Sequence, residues 1–68
     1  MTYREACITT ALHCNNPYAK AYAKAGIDMT GHEAYVQALY ILNNITHWRG
    51  ELAREVRTTL KSMKESQS

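Results

Sequence analysis

Apolar residues recur along this chain at helical spacing, and the pattern is interrupted three times. Tyr3, Cys7, Ala11 and Cys14 fall on one helical face. Ile8 and Leu12 widen that stripe, while Glu5, Thr9 and His13 occupy the other side. Thr2-Tyr3-Arg4-Glu5 has the Thr-x-x-Glu form of a capping box, so a first helix is predicted to start at once and run to about Cys14. Asn15-Asn16-Pro17 stops it, because the residue before a proline is pushed out of the helical region. The same residues open a second helix, with Asn16 as N-cap and Pro17 at the first helical position. Its turns read Tyr18-Ala19-Lys20-Ala21 and then Tyr22-Ala23-Lys24-Ala25, which stacks Tyr18 over Tyr22 and Lys20 over Lys24. The alanines permit close approach, and Gly26 is expected to end this short connector helix in the left-handed conformation.

Thr30-Gly31-His32-Glu33 reads as a second capping box. It opens a helix in which Ala34, Tyr35, Val36, Ala38, Leu39, Ile41, Leu42 and Ile45 cover most of the circumference. Glu33, Gln37 and Asn44 leave only a narrow polar strip. A helix this apolar is expected to be the buried central one. In so short a chain the other helices are expected to leave part of it uncovered, which makes Tyr35, Leu39, Tyr40 and Leu42 the expected contacts between copies. Asn43 to Thr46 are weak helix formers and Gly50 follows, so a turn is predicted from about Asn44 to Gly50. The alternative is one long kinked helix, since Ile45, Trp48, Leu52, Val56, Leu60 and Met63 keep helical spacing through the break. The last helix is placed at about Gly50 to Lys64, with residues 65–68 fraying. Its apolar stripe is flanked on one side by Arg54, Arg57, Lys61 and Lys64 and on the other by Glu51, Glu55 and Glu65. The expected fold is all-α: three main helices and a short connector helix in a small bundle, a single domain over residues 1–64.

A chain of 68 residues buries only about 60% of its unfolded surface, so its core is small and oligomerisation is a natural addition. The formal charge of +2 is too weak to indicate nucleic acid by composition. Five Tyr, one Trp and no Phe make the large aromatic surface amphipathic. Arg4, Glu5 and His13 interrupt what would be the apolar part of a signal peptide, and no apolar run approaches the roughly 20 residues of a membrane span. A cytoplasmic location is expected.

Cys7 and Cys14 share a helical face but lie about 10 Å apart along the axis, beyond the reach of a disulfide or of one zinc. They are read as buried free thiols, and no metal or cofactor is expected. His13, His32 and His47 fall on different elements, and no nucleophile–base pair, carboxylate pair or glycine-rich phosphate loop is present. An enzyme is therefore not expected. The chemistry concentrates in His47-Trp48-Arg49-Gly50, where an imidazole, an indole and a guanidinium precede a helix N-terminus. Such a turn suits an anion or a partner carboxylate. The structural alternative has Trp48 pinning the turn and Arg49 closing it through a salt bridge or a carbonyl contact. Arg54, Arg57 and Lys61 add a basic flank that could touch phosphates if the last two helices acted as a helix-turn-helix.

Asn16-Pro17-Tyr18-Ala19 with Tyr22-Ala23, then Leu42-Asn43-Asn44 with His47-Trp48-Arg49-Gly50, then Ala53-Arg54-Glu55-Val56-Arg57, resembles a group of small uncharacterised all-helical proteins from phages and prophages. The likeness runs from about Asn16 to Leu60. It implies a phage-encoded protein acting in a bacterial cytoplasm and assigns no catalytic or binding residue. Small phage accessory proteins commonly bind host machinery, including defence systems. The expected function is a non-enzymatic, homo-oligomeric interaction protein that binds or modulates a host or phage protein. The alternative is a module for nucleic acid or nucleotide phosphate.

Overall fold

The computed structural model describes residues 1–63. The expected helix end at Lys64 and the tail at residues 65–68 lie outside the described residues. Four helices form among those described: α1 (Tyr3–His13), α2 (Pro17–Gly26), α3 (Gly31–Asn43) and α4 (Glu51–Lys61). Each helix packs on its neighbours in sequence, and α1 closes the ring on α4, leaving α1 and α3 on one diagonal. The extents of 34 × 19 × 18 Å give a cross-section of two helix diameters each way, as a two-by-two bundle requires. Directions follow from the side chains that bridge the elements. Tyr3 at the start of α1 donates to Gly26 O at the end of α2 (2.7 Å), and Thr59 near the end of α4 donates to Met1 O (3.4 Å). The helices therefore run alternately up and down. This joins the α1–α2 and α3–α4 turns at one end of the bundle.

Local signals explain most boundaries. Thr2 Oγ1 accepts from Glu5 N (3.1 Å) while Glu5 Oε1 accepts from Thr2 N (2.8 Å), completing the first capping box. Asn16 Oδ1 accepts from Tyr18 N (2.8 Å) and Ala19 N (3.1 Å), so the Asn-Pro start of α2 also forms as expected. The Thr30 box does not form: Thr30 makes no side-chain cap bond. Gly31, the first residue of α3, has φ 60°, and this left-handed step turns the chain away from the N–H groups that Thr30 would reach. Residues 44–50 form a turn, not a kinked helix, and α4 starts after Gly50, whose φ of 109° suits only glycine.

α2 is a full wall of the bundle and not a connector. It has ten residues, and Ala19 and Ala23 are fully buried. Gly26 is helical and lacks the expected left-handed conformation. Space explains it instead: a Cβ there would lie 2.7 Å from Tyr3 Oη and 2.8 Å from Gln37 Cγ. Gln37, expected on a polar strip, is buried and donates through Nε2 to Tyr22 O (2.7 Å). α3 is not the central helix. It packs on α2 and α4 only, and Leu39 and Tyr40 remain 43% and 48% exposed. The core is built from Ala6, Cys7, Cys14, Ala19, Ala23, Ala38, Ile41, Ile45, Val56 and Leu60. Thr10 joins it by donating to Ala6 O (2.8 Å), which satisfies its hydroxyl within its own helix. Both cysteines are buried and unbridged.

Candidate functional site

The two turns at one end of the bundle enclose a groove of about 570 Å³ lined by Cys14, Asn15, Asn16, Asn44, His47, Trp48 and Arg49. Its two walls come from distant parts of the chain. The Pro17 start places Asn15 and Asn16 on the α1–α2 side. The α3–α4 turn supplies the other side, held by Trp48 N donating to Ile45 O (3.1 Å). Arg57 secures that turn from α4: its Nη1 donates to Trp48 O (2.7 Å) and to Ile45 O (3.4 Å). Trp48 is half-buried against the core. The structural role weighed for Arg49 thus belongs to Arg57. Arg49 is exposed and, like His47, makes no hydrogen bond or ion pair among the described residues.

The asparagines are committed in part, which fixes what they present. Asn16 spends its Oδ1 on the α2 N-terminus, leaving its Nδ2 group uncommitted. Asn44 spends one Nδ2 hydrogen on Tyr40 O (2.8 Å), leaving its Oδ1 and its second N–H. Asn15 makes no bond among the described residues. The groove therefore presents donors from Asn15, Asn16, Asn44, Arg49 and His47 and carboxamide acceptors from Asn15 and Asn44, with no acidic side chain in its lining. Every buried side-chain N or O among the described residues has a partner, so the core itself holds no orphan polar atom.

Of the residues singled out in the sequence, His47, Trp48 and Arg49 meet in the groove. Arg57 does not line the groove and directs its Nη1 at two main-chain carbonyls. Arg54 and Lys61 are exposed on the same side of α4 as Arg57 but do not line the groove. The four residues expected between copies divide. Tyr40 stacks on Tyr22 (5.5 Å between centroids, 29° between planes), Tyr35 sits beside the His32 ring, Leu42 is half-buried against the core, and Leu39 is exposed. Asn15, Asn16 and Asn44 join the groove without having been anticipated. Their clustering beside the two turns was the available signal, and only the up-down topology shows that those turns meet.

A second hollow of about 490 Å³ is lined by Met1, Glu5, Ile8, Thr9 and Glu55. Glu5 is already employed in capping, and the bond from Thr2 N holds its carboxyl below the usual range. Among the described residues, no group of three or more His, Cys, Asp or Glu is placed to hold a metal ion, and no helix is long and apolar enough to cross a membrane.

No family model, curated protein or solved structure matches this chain.

Proposed function

We propose that this chain is a non-enzymatic interaction protein that docks another protein at the turn end of its bundle. One observation carries the reading: Arg49 and His47 stand without partners in a groove whose turn is already secured by Arg57. Structural needs are met without them, so the guanidinium, the imidazole and the neighbouring carboxamides are available for contact. Exposed Tyr18, Tyr22 and Tyr40 on α2 and α3 supply apolar surface of the kind enriched at interfaces. The likeness to phage and prophage proteins supports a bacterial cytoplasmic setting and a host or phage partner, with modulation of a defence system as one such role. Self-association is part of the reading, supported by exposed Leu39 and Tyr40 on a helix with one uncovered side.

Capture from bacterial lysate by wild type, Arg49→Ala and Arg54→Ala, each first shown to fold by circular dichroism, tests the docking surface. The expected result is a captured protein lost with Arg49→Ala and kept with Arg54→Ala. Equal capture by all three removes the groove from the interface. A sedimentation run showing only monomer at micromolar concentration removes self-association.

A second reading, binding of nucleic acid or nucleotide phosphate, is favoured by the absence of ion pairs at Arg54 and Lys61. Against it, the same helix begins with Glu51 and exposes Glu55. Titration of duplex, single strand and mononucleotides against salt separates the two, since phosphate binding gives a steep salt slope.

A further inference from the structure

Resting on the docking reading above, we infer that the groove takes an acidic peptide segment, its Asp or Glu carboxylates on Arg49 and His47 and its main chain against the asparagines. Charge complementarity is the first argument. Arg49 carries positive charge, His47 and the carboxamides of Asn15 and Asn16 can donate toward a carboxylate, no lining side chain carries a carboxylate, and Arg49 is not neutralised from within the fold. A guanidinium with no internal partner offers the planar fork that pairs with a carboxylate bidentately. A neutral imidazole still donates one N–H, so His47 contributes without needing to be charged.

The asparagines supply the second argument. Asn16 has its carboxamide oxygen committed and presents N–H, Asn44 uses one N–H on Tyr40 O and presents its oxygen and its second N–H, and Asn15 has both kinds of group available. A peptide main chain alternates C=O and N–H and satisfies both kinds of group. A phosphodiester offers acceptors only and leaves the Asn15 and Asn44 oxygens unanswered. The count of cations points the same way. Nucleic-acid affinity grows with the number of phosphates neutralised, and this groove provides a single guanidinium and one imidazole. The volume of about 570 Å³ lies within the ordinary range of ligand clefts, and half-buried Trp48 gives the groove an aromatic surface against which a side chain can pack.

The test uses ¹⁵N-labelled full chain and hexaglutamate as the probe, with hexaglutamine, AMP and inorganic phosphate as comparisons, at physiological ionic strength. The single tryptophan gives one indole N–H resonance, and Asn15, Asn16 and Asn44 give side-chain amide pairs in the same groove. Hexaglutamate is expected to shift these resonances in a saturable way while hexaglutamine leaves them in place. Arg49→Glu and the milder Arg49→Gln are expected to weaken binding by about tenfold to a hundredfold, as loss of a charge-assisted bond does. Arg54→Glu, outside the groove, is expected to change it by less than about threefold, because screening limits distant charges. No shift at millimolar hexaglutamate overturns the inference, as do equal shifts with hexaglutamine. Tighter binding of AMP or phosphate to the same resonances also overturns it, as do shifts confined to Arg54 and Lys61. If capture from lysate depends on Arg49 while hexaglutamate fails to bind or compete, the docking reading stands and the acidic-peptide assignment falls. If hexaglutamate binds but capture is indifferent to Arg49, the reverse holds.

Discussion

Replacing Gly26 by alanine sets two opposed effects against each other. In an exposed helix the change is stabilising by up to about 1 kcal/mol, since glycine is the weaker helix former. Here the added Cβ would lie 2.7 Å from Tyr3 Oη and 2.8 Å from Gln37 Cγ, where ordinary contact begins near 3.4 Å, so both side chains must withdraw by more than half an ångström. Neither moves without cost. Tyr3 Oη is held by its bond to Gly26 O, and Gln37 Nε2 by its bond to Tyr22 O, both at 2.7 Å. Overpacking of this kind costs about 1–3 kcal/mol, and a disturbed hydrogen bond adds about 1 kcal/mol. The net expectation is a loss of about 1–3 kcal/mol after the propensity gain is subtracted. For a domain of this size, Tm falls on the order of 10 °C. Urea unfolding followed by circular dichroism and by Trp48 fluorescence measures it. Tyr3→Phe removes the nearer atom, so it should cost about 1 kcal/mol in the wild type and clearly less in the Gly26→Ala background, a coupling the double-mutant cycle resolves. A Gly26→Ala protein as stable as wild type, or additivity of the two changes, would refute the claim that space and not backbone conformation demands this glycine.

Other consequences are as direct. Arg57→Met should cost about 1.5–3 kcal/mol by freeing the carbonyl of Trp48 and removing a second contact to Ile45 O, which keeps its bond from Trp48 N, whereas Arg54→Met, which breaks no side-chain bond in the fold, should stay within about 0.5 kcal/mol; paired thermal melts decide it. Asn16→Ala should cost about 1 kcal/mol through its two cap bonds, while Thr30→Ala, at a helix start with no side-chain cap bond, should cost only a few tenths by urea titration. Burial, then the hydrogen bond and charge of Cys7, push the Tyr3 hydroxyl above its ordinary value of 10.0, and burial pushes the Cys7 thiol above 9.0, partly opposed by Tyr3. With folded values raised, the unfolded chain releases these protons first. The stability these two groups contribute is therefore full well below the unfolded thiol value of 9.0 and falls as pH rises through and beyond it. Denaturant titrations from pH 8 to 11 should show that decline, and Tyr3→Phe should reduce it.

Local chemistry made most of the fold legible. Thr2 with Glu5 and Asn16 with Pro17 are decided within a few residues, and the same stretches both announce and form the helix starts. The readings that changed depend on residues distant in sequence. Gly26 follows the end of an alanine-rich run, which suggests a left-handed stop. Its actual role is set by Tyr3 and Gln37, 23 and 11 positions away. Gln37 looked like part of a polar strip because periodicity records polarity and not the carbonyl of Tyr22 that satisfies it. The Thr30 box matched in letters and failed because Gly31 takes a left-handed step. In the groove, His47, Trp48 and Arg49 were visible as a run, but the exchange of roles between Arg49 and Arg57 depends on how α4 docks back on the turn. Asn15, Asn16 and Asn44 could be joined to them only once the turns were known to share an end.

That shared end has a thermodynamic consequence. The bundle consists of two helical hairpins, α1–α2 and α3–α4, linked covalently through residues 27–30 at the opposite end. The far end is also stitched by Arg4 to Asp28 (3.4 Å) and by Thr59 to Met1 O. No peptide bond spans the groove end, where Cys14, Asn15 and Asn16 of one hairpin face Asn44 to Arg49 of the other. An occupant touching both sides would act as a removable crosslink. Its binding energy would resist separation of the hairpins, and hydrogen exchange at the groove end would slow in proportion to its concentration over Kd.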